Sequence, residues 1–237
     1  IGLSYSEATQ GAFDIAIAPL TSLWNFTAEN PIPPEYSAIH TALSSCGYQH
    51  VNLQDRIITF DSPDIQIDLG AVAKGYIADR IKEYLVSQGV ESGIINLGGN
   101  VLCIGKKPDR TPFKIGIQKP FADRNETEAI MDITNKSVVS SGIYERCFQY
   151  NGKSYHHILN PKTGYPYQNG LISVTIVCDQ SVMGDALSTS CFALGLEDGL
   201  TYAESLDNVQ AVFITDDYEM HYTKGFQKEI PVTDTKN

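Results

Sequence analysis

The sequence predicts an α+β fold, mainly antiparallel sheet with flanking helices. The middle of the chain is a series of short segments in which apolar residues alternate or run together, separated by polar turns. Helical apolar periodicity is confined to the first 46 residues, to residues 71–87 and to residues 181–205. Strands and helices therefore do not alternate as they would in a parallel βαβ fold.

Helices dominate the predicted elements at the start of the chain. These elements are a helical opening, an apolar stretch at 15–24, a helix near 35–46, strands at 57–60 and 65–69, and a helix at 71–87. The proline-rich residues 30–34 separate the apolar stretch from the next helix. Gly70 ends the second strand where the helical period begins, which predicts a strand–turn–helix unit.

Alternating and continuous apolar runs predict that the rest of the chain is mainly sheet. Strands are predicted at 94–97, 101–104, 113–118, 130–134, 137–141, 145–150, 155–159, 171–177, 209–214 and 219–222, with helices at about 181–194 and 196–205. Residues 119–128 are predicted to form a polar loop. No internal repeat divides the chain.

Length and charge restrict the possible functions. The 237 residues, 42% of them hydrophobic, are enough for one large domain or two small lobes around a core. The 28 acidic and 17 basic residues give a formal net charge of −11, which argues against nucleic acid or an anionic bilayer as a partner. The negative charge of a bound phosphate would have to be balanced locally, by a few cations, a helix end or a metal. No stretch is long and apolar enough for a membrane span, and no signal peptide opens the chain.

Cysteine usage indicates reduced thiols. The five cysteines are odd in number, widely spaced and mostly in apolar runs, and no Cys-x-x-Cys pair occurs. They are predicted to be reduced and buried.

The run from His156 to Pro166 is the first candidate for chemistry. It places two imidazoles, an amide and a hydroxyl among residues that fix the backbone, between two predicted strands. Such a loop can hold a polar ligand in one geometry. Taken alone, it is more simply a polar hairpin loop with a Pro-Lys-Thr-Gly turn.

A second candidate lies where the predicted strand at 65–69 meets the following helix. The free N–H groups at a helix start favour an anion, and Lys74 adds a cation in the first turn. Asp68 at the strand end can accept hydrogen bonds from a ligand. The simpler interpretation is a capping Asp68, a turn at Gly70 and a solvated Lys74, since a single glycine-containing turn is a weak signal.

A third candidate is the segment 184–189, which opens with Gly184. Asp185 and Thr189 are four residues apart, so their oxygens lie on one helix face and can reach one ion. Carboxylate and hydroxyl oxygens are hard ligands suited to Mg²⁺. The alternative is an Asp near a helix N-terminus followed by small packing residues.

Three further segments are ambiguous by themselves. Residues 11–14 could place an aromatic ring and a carboxylate beside a heterocycle, or form a core Phe with a capping Asp. Residues 98–100 are most simply a hairpin turn but could let a ligand lie against bare backbone. Residues 141–146 offer a polar, aromatic strand start or a half-exposed edge strand.

A serine nucleophile elbow, a zinc-type His/Cys cluster, a P-loop and a dinucleotide fingerprint are all absent from the sequence.

Taken together and in order, these segments resemble the ApbE family of flavin transferases over nearly the whole chain. They are residues 11–14, 68–75 with Asp79, 98–100, 141–146, 157–164 and 185–189. The resemblance implies one T-fold-like domain of two lobes over residues 1–237. It also implies a Mg²⁺-dependent FAD:protein FMN transferase, which splits FAD and attaches FMN through a phosphoester to a Thr or Ser of an acceptor protein, with release of AMP. Related members hydrolyse FAD to FMN and AMP.

The resemblance also implies roles for single residues. FAD contacts would come from Ala12, Phe13, Asp14, Asp68, Lys74, Thr163 and the backbone near Leu159. The metal would be held by the Ala71 carbonyl with Asp185, Ser188 and Thr189. His157 is the candidate for proton transfer from the acceptor hydroxyl, and Asp185 is the candidate catalytic carboxylate.

The chain departs from the family pattern in two places. Asn160 stands where Asp is usual before the Pro-x-Thr-Gly turn, so a negative charge is lost while an acceptor oxygen remains. The sequence also begins after the family's N-terminal strand region, which normally supplies further FAD contacts and a lipoprotein or secretion signal. The resemblance implies a periplasmic or cell-surface location, with membrane contact only through a lipid anchor. It also implies an acceptor protein that is a redox-complex subunit or a reductase.

Two alternatives to the transferase remain open from the residues. One is a FAD pyrophosphatase that uses the same metal site. The other is a module that binds FAD without chemistry, which the loss of charge at Asn160 favours slightly.

Overall fold

A computed structural model describes residues 1–123 and 126–234. The chain forms two compact units. Unit 1 comprises residues 1–70 and 143–169, and unit 2 comprises residues 71–142 and the chain from Gly170 onward. Among the helices of the described residues, none combines the length and hydropathy needed to cross a bilayer.

The described residues form helices and strands in an order that confirms the predicted α+β class. The helices are α1 (Gly2–Ala8), α2 (Ala18–Trp24), α3 (Tyr36–Leu43), α4 (Gly70–Ser87), α5 (Ser181–Leu194), α6 (Leu196–Glu204) and α7 (Phe226–Glu229), with a 3₁₀ turn at Tyr48–His50. The strands are β1 (Val51–Gln54), β2 (Ile57–Phe60), β3 (Ser92–Asn96), β4 (Asn100–Gly105), β5 (Phe113–Gln118), β6 (Thr127–Ile133), β7 (Ser137–Gly142), β8 (Cys147–Tyr150), β9 (Lys153–His156), β10 (Leu171–Cys178), β11 (Gln210–Thr215), β12 (Met220–Tyr222) and β13 (Val232–Asp234).

Three predictions about local structure need correction or restriction. The strand predicted at 65–69 is wrong, because these residues form no ladder and Asp68 N–H donates instead to the Ile15 carbonyl at 2.7 Å. Cys147 is exposed rather than buried, since β8 turns Phe148 inward and its neighbours outward. The predicted polar loop at 119–128 extends too far, because β6 begins at Thr127, and its residues 124 and 125 lie outside the described residues.

Aromatic packing forms the core of unit 1. Trp24 is 1% exposed and packs with Leu20, Ile39, Phe148 and Leu159. Its indole N–H donates to the Gly164 carbonyl at 2.7 Å, so the buried ring has its polar group satisfied. The core thereby ties α2 and α3 to the loop that follows β9.

Unit 2 is built on a six-stranded sheet. The strand order is β12-β11-β10-β7-β4-β3, and every neighbouring pair is antiparallel. A second antiparallel sheet has the order β13-β6-β5. All eight residues of β10 are buried, as expected for a central strand beneath a helix.

Helix α5 packs closely on this sheet because a glycine faces it. A Cβ at Gly184 would lie 2.7 Å from Val139 Cγ2 in β7. Gly75 serves the same purpose between helices, since a Cβ there would lie 2.2 Å from the Ser181 carbonyl oxygen. These two glycines let α4, α5 and β7 approach one another, and this approach positions the site described next.

Candidate active site

Asp185 lies in the second turn of α5 and is 4% exposed. Its Oδ2 accepts a hydrogen bond from the Gly75 N–H at 2.5 Å, and its Oδ1 accepts one from the Asn100 side-chain amide at 2.9 Å. Burial raises the pKa of Asp185, while the donors from Asn100 and Gly75 and the nearby Lys74 lower it. The site therefore holds a buried carboxyl group whose ionised form has two donors.

Two hydroxyl groups follow Asp185 on the same helix. Ser188 and Thr189 are three and four residues further on, so they lie one turn away on the same face. Both hydroxyls meet Ser141 Oγ of β7, at 2.8 Å from Ser188 Oγ and 3.1 Å from Thr189 Oγ1. The structure therefore brings the Ser188 and Thr189 hydroxyls together at Ser141, one helical turn after Asp185.

The fourth predicted ligand, the Ala71 carbonyl, lies on α4. In a regular α-helix the N–H of Gly75 points at the carbonyl four residues earlier, which is that of Ala71. The Gly75 N–H donates to Asp185 Oδ2 at 2.5 Å, so this carboxylate is bonded to α4 one turn after Ala71. A carboxylate, two hydroxyls and a carbonyl are hard oxygen donors, and they fit Mg²⁺ rather than a thiolate-seeking metal.

The described residues contain no group of three or more His, Cys, Asp or Glu side chains placed to hold a metal. The predicted ligands on α4 and α5 are instead one carboxylate, two hydroxyls and one backbone carbonyl.

Residues 98–100 do form the predicted hairpin turn. Gly98 and Gly99 have φ of 71° and 85°, the left-handed values that a two-residue hairpin loop requires. Lys74 Nζ donates to the Gly98 carbonyl at 3.1 Å, so the predicted anion-binding lysine lies against this turn. Asn100, which follows the glycines, is fully buried and bonded to Asp185, a contact that the turn signal does not reveal.

Asp79 has a structural role that sequence reasoning left open. Its two carboxylate oxygens accept hydrogen bonds from the N–H groups of Ser181 and Val182 at 2.8 and 2.9 Å. It therefore caps the first turn of α5 from a neighbouring helix. This cap helps to set the position of Asp185, four residues further on.

In unit 1, the loop that follows β9 is held by its own backbone. Asn160 Oδ1 accepts from Lys162 N–H at 2.8 Å, and the Asn160 carbonyl accepts from Gly164 N–H at 2.8 Å. The first bond needs only a side-chain oxygen, so Asn serves the turn as Asp would. Gly164 has a φ of 75°, and a Cβ there would lie 2.3 Å from Ile39 Cγ2.

The predicted ligand-contacting residues of this loop differ in exposure. Thr163 is exposed and, with Asn160, Tyr155 and Tyr165, borders a cavity of about 380 Å³. Leu159 is 5% exposed and pairs with Pro166 in an isolated bridge, so the residue is largely covered.

The two histidines of the loop are held differently. His157 is half-buried, and its backbone N–H donates to the Arg146 carbonyl at 3.1 Å. His156 is 7% exposed, and its Nε2 lies 2.8 Å from the Tyr167 carbonyl oxygen. Because a carbonyl only accepts, Nε2 carries the proton in His156. Burial lowers the pKa of His156.

The carboxylates of Asp68 and Asp14 are already bonded to neighbouring groups. Asp68 accepts from Gly70 N–H at 2.8 Å and from the Thr21 hydroxyl at 2.9 Å. Asp14 accepts from the N–H groups of Ala16 and Tyr48 at 2.8 and 2.9 Å. Burial raises the pKa of Asp14 despite these donors. Both carboxylates thus stabilise the local backbone turns, and a contact with FAD would come in addition to that role.

Ala12 and Phe13 are held mainly through their backbone. The Ala12 carbonyl accepts from the Tyr167 hydroxyl at 2.9 Å, and Phe13 N–H donates to Thr9 Oγ1 at 3.0 Å. The Phe13 ring is 4% exposed. The predicted metal ligands and Lys74 thus lie in unit 2, and the other predicted FAD contacts lie in unit 1.

Comparison with known protein families shows which class of protein has this fold. The model of the ApbE family matches residues 1–213. The chain belongs to the ApbE family, which confirms the resemblance predicted from its motifs.

Two curated relatives show how far the likeness extends. The FAD:protein FMN transferase of Klebsiella pneumoniae (strain 342) is 40% identical over 212 residues, covering 89% of this chain and 65% of that protein. The FAD:protein FMN transferase of Treponema pallidum (strain Nichols) is 31% identical over 249 residues, covering 99% of this chain and 69% of that protein. The chain thus spans about two thirds of the length of these relatives.

Solved structures give the same result for the fold. The crystal structure of the ApbE protein from Thermotoga maritima matches with a TM-score of 0.86 at 32% identity, over 96% of this chain and 74% of that one. The apo form of the flavinyl transferase ApbE from Pseudomonas stutzeri matches with a TM-score of 0.81 at 30% identity, over 96% and 71%.

Proposed function

We propose that this protein transfers FMN from FAD to a Thr or Ser hydroxyl of an acceptor protein, in a reaction that depends on Mg²⁺ and releases AMP. One observation carries the proposal: α5 holds the buried carboxylate of Asp185 one turn before the hydroxyls of Ser188 and Thr189, and that carboxylate is bonded to α4 through the Gly75 N–H. The names of the curated relatives support FAD and a protein as the two substrates.

The chemistry is a phosphoryl transfer. The acceptor hydroxyl oxygen attacks the phosphorus of the FMN half of FAD, the bond from that phosphorus to the bridging oxygen breaks, and AMP leaves with that oxygen. Mg²⁺, when bound, would supply charge neutralisation for the leaving phosphate. Asp185, Ser188, Thr189 and the Ala71 carbonyl would hold the ion. Lys74 would add a positive charge close to this group, at the turn formed by Gly98.

The acceptor hydroxyl must lose a proton as the new bond forms. We assign this proton to the imidazole of His157, a group whose ordinary pKa suits general-base catalysis near neutral pH. The bond from His157 N–H to the Arg146 carbonyl fixes its backbone. In this assignment the side chain needs only to accept the proton, while binding and orientation supply most of the rate.

Unit 1 would supply the contacts to FAD. The backbone groups of Ala12, Phe13 and Leu159 belong to loops held by hydrogen bonds, and Thr163 borders the cavity described above. Asp14 and Asp68 keep these loops rigid through their bonds to backbone N–H groups. A rigid set of backbone donors and acceptors binds a polar heterocycle at low entropic cost.

Incubation with FAD and Mg²⁺, with and without a Thr-containing acceptor, tests the proposal. The acceptor should be a flavin-carrying redox subunit or reductase. AMP release only with the acceptor, together with flavin fluorescence on the acceptor band, is the expected result. AMP release without acceptor would show a FAD pyrophosphatase instead. Intact bound FAD under both conditions would show a non-catalytic flavin-binding protein.

A matched pair of variants tests the role of Asp185 in the same assay. Asp185→Ala removes the carboxylate and is expected to abolish Mg²⁺-dependent transfer. Ser140→Ala removes a hydroxyl from β7 that bonds Thr175 Oγ1 at 2.8 Å and touches no proposed ligand. It should retain transfer. Unchanged transfer in Asp185→Ala, with wild-type activity sensitive to EDTA, would refute the metal assignment.

A further inference from the structure

We infer that Asn100 and Ser141 are positioning residues of the cation site: Asn100 orients the Asp185 carboxylate, and Ser141 orients the hydroxyls of Ser188 and Thr189. This inference rests on the proposed function, because it requires that Asp185, Ser188 and Thr189 hold a divalent cation. Neither Asn100 nor Ser141 is itself one of the proposed ligands.

Asn100 is fully buried at the start of β4. Its Nδ2 donates to Asp185 Oδ1 at 2.9 Å, and its Oδ1 accepts from the Ser181 hydroxyl at 2.7 Å. A carboxylate can only accept, so only one orientation of the amide satisfies both neighbours. Ser181 thus fixes the amide, and the amide fixes one carboxylate oxygen.

This series of hydrogen bonds extends from Ser181 to Ser137. Because Ser181 gives its only hydroxyl proton to Asn100, it must accept from the Ser137 hydroxyl, which lies 2.9 Å away. Gly75 N–H holds the other oxygen of Asp185. With a donor on each oxygen, the carboxylate plane cannot rotate freely, and its remaining lone pairs face fixed directions.

The hydroxyls around Ser141 also have a single consistent arrangement. Ser188 Oγ donates to the Asp185 carbonyl at 3.0 Å, which uses its proton. The 2.8 Å contact between Ser141 and Ser188 then needs the proton of Ser141, and the 3.1 Å contact between Thr189 and Ser141 needs the proton of Thr189. The proton of Thr189 is therefore turned toward Ser141, and the oxygen lone pairs of Thr189 are left for a cation.

A purely structural role for these bonds makes a different prediction. Buried polar chains stabilise a fold even where no ligand binds. Ser140, the neighbour of Ser141 on β7, separates the two roles, because its hydroxyl makes a bond of the same 2.8 Å length to Thr175 but touches no proposed ligand. Removal of either hydroxyl should lower the free energy of unfolding by a similar amount, whereas only removal of the Ser141 hydroxyl should weaken cation binding.

The test measures Mn²⁺ binding to the FAD-free protein by electron paramagnetic resonance, with thermal unfolding measured in parallel. Asn100→Leu and Ser141→Ala are each expected to weaken Mn²⁺ binding about 10–100-fold, the usual effect of removing a partner of a metal ligand. Ser140→Ala is expected to change it by less than about 2-fold. Ser141→Thr, which keeps the hydroxyl, should restore most of the affinity.

The outcomes separate this inference from the proposed function. Folded Asn100→Leu and Ser141→Ala proteins that bind Mn²⁺ as tightly as the wild type would overturn the inference and leave the proposed function standing. A wild-type protein that binds no Mn²⁺ would overturn both. If Asn100→Leu does not fold, the comparison of Ser141→Ala with Ser140→Ala decides: equal Mn²⁺ affinities would again overturn the inference.

Discussion

The Gly75 N–H donates a 2.5 Å hydrogen bond to Asp185 Oδ2 across a sequence separation of 110 residues. This bond joins α4 to α5 and brings together two motifs that sequence analysis treats separately. It also gives Asp185 two roles, as an acceptor within the fold and as a proposed ligand.

Replacement of Asp185 tests both roles. Asp185→Ala leaves the donors from Gly75 and Asn100 without an acceptor, and each unsatisfied donor costs about 1–3 kcal/mol. Asp185→Asn keeps one acceptor oxygen, so its free energy of unfolding should lie between those of Asp185→Ala and the wild type. Both variants should lose Mn²⁺ binding. Urea unfolding checks the stability order, and wild-type stability in Asp185→Ala would contradict it.

Gly75→Ala should destabilise the protein by about 1–3 kcal/mol or more, because the new Cβ would overlap backbone. That Cβ would lie 2.2 Å from the Ser181 carbonyl oxygen, which cannot move without displacing the start of α5. Gly93→Ala is the matched control, since the nearest atom to its Cβ is 3.9 Å away. Urea unfolding of the two variants should differ clearly, and equal midpoints would show that α5 adapts.

Gly164→Ala separates steric overlap from backbone strain when compared with Gly152→Ala. Both glycines have a φ of 75°. A Cβ at Gly164 would lie 2.3 Å from Ile39 Cγ2, whereas a Cβ at Gly152 would meet nothing within 4 Å. Gly152→Ala should show the strain alone, and Gly164→Ala should lose about 1–3 kcal/mol more. Denaturant unfolding measures the difference, and its absence would mean that the Ile39 packing is loose.

Protonation of His156 should lower stability in acid. Burial lowers its native pKa below the ordinary value of 6.5, so between that native pKa and 6.5 the unfolded chain binds more protons at this residue. Its contribution to the free energy of unfolding should therefore fall as the pH drops below 6.5, and it should level off below the native pKa. His156→Gln keeps a donor for the Tyr167 carbonyl but does not titrate.

The pH dependence of the difference between wild type and His156→Gln isolates this residue, because other titrating groups are common to both proteins. Wild-type stability should fall relative to the variant as the pH is lowered from 7 toward 5. A constant difference over this range would show that His156 titrates equally in both states.

Sequence patterns predicted the elements whose signals are local. The strand Phe113–Gln118 and the helix Ser181–Leu194 were both predicted with their observed bounds. The apolar alternation at 65–69 failed as a strand signal, because a strand also needs a partner and this segment has no ladder. Periodicity shows which face of a segment is apolar but not which segment lies beside it.

The candidate site shows the same limit. The four-residue spacing of Asp185 and Thr189 predicted that they share a helix face, and they do. The contacts of Asn100 and Ser141 depend on the strand order, in which β7 lies between β4 and β10, and local patterns do not encode that order. The bonds that occupy Asp14 and Asp68 likewise depend on how the backbone folds around them.

The aromatic core of unit 1 sets the order of events during synthesis. Leu20, Trp24 and Ile39 are synthesised more than a hundred residues before their packing partners Phe148 and Leu159. The faces of α2 and α3 that pack against these partners therefore stay uncovered until residues 148 and 159 have been made. Contacts of such long range slow folding and expose nascent chains to aggregation. This interval is when the protein would need a chaperone most.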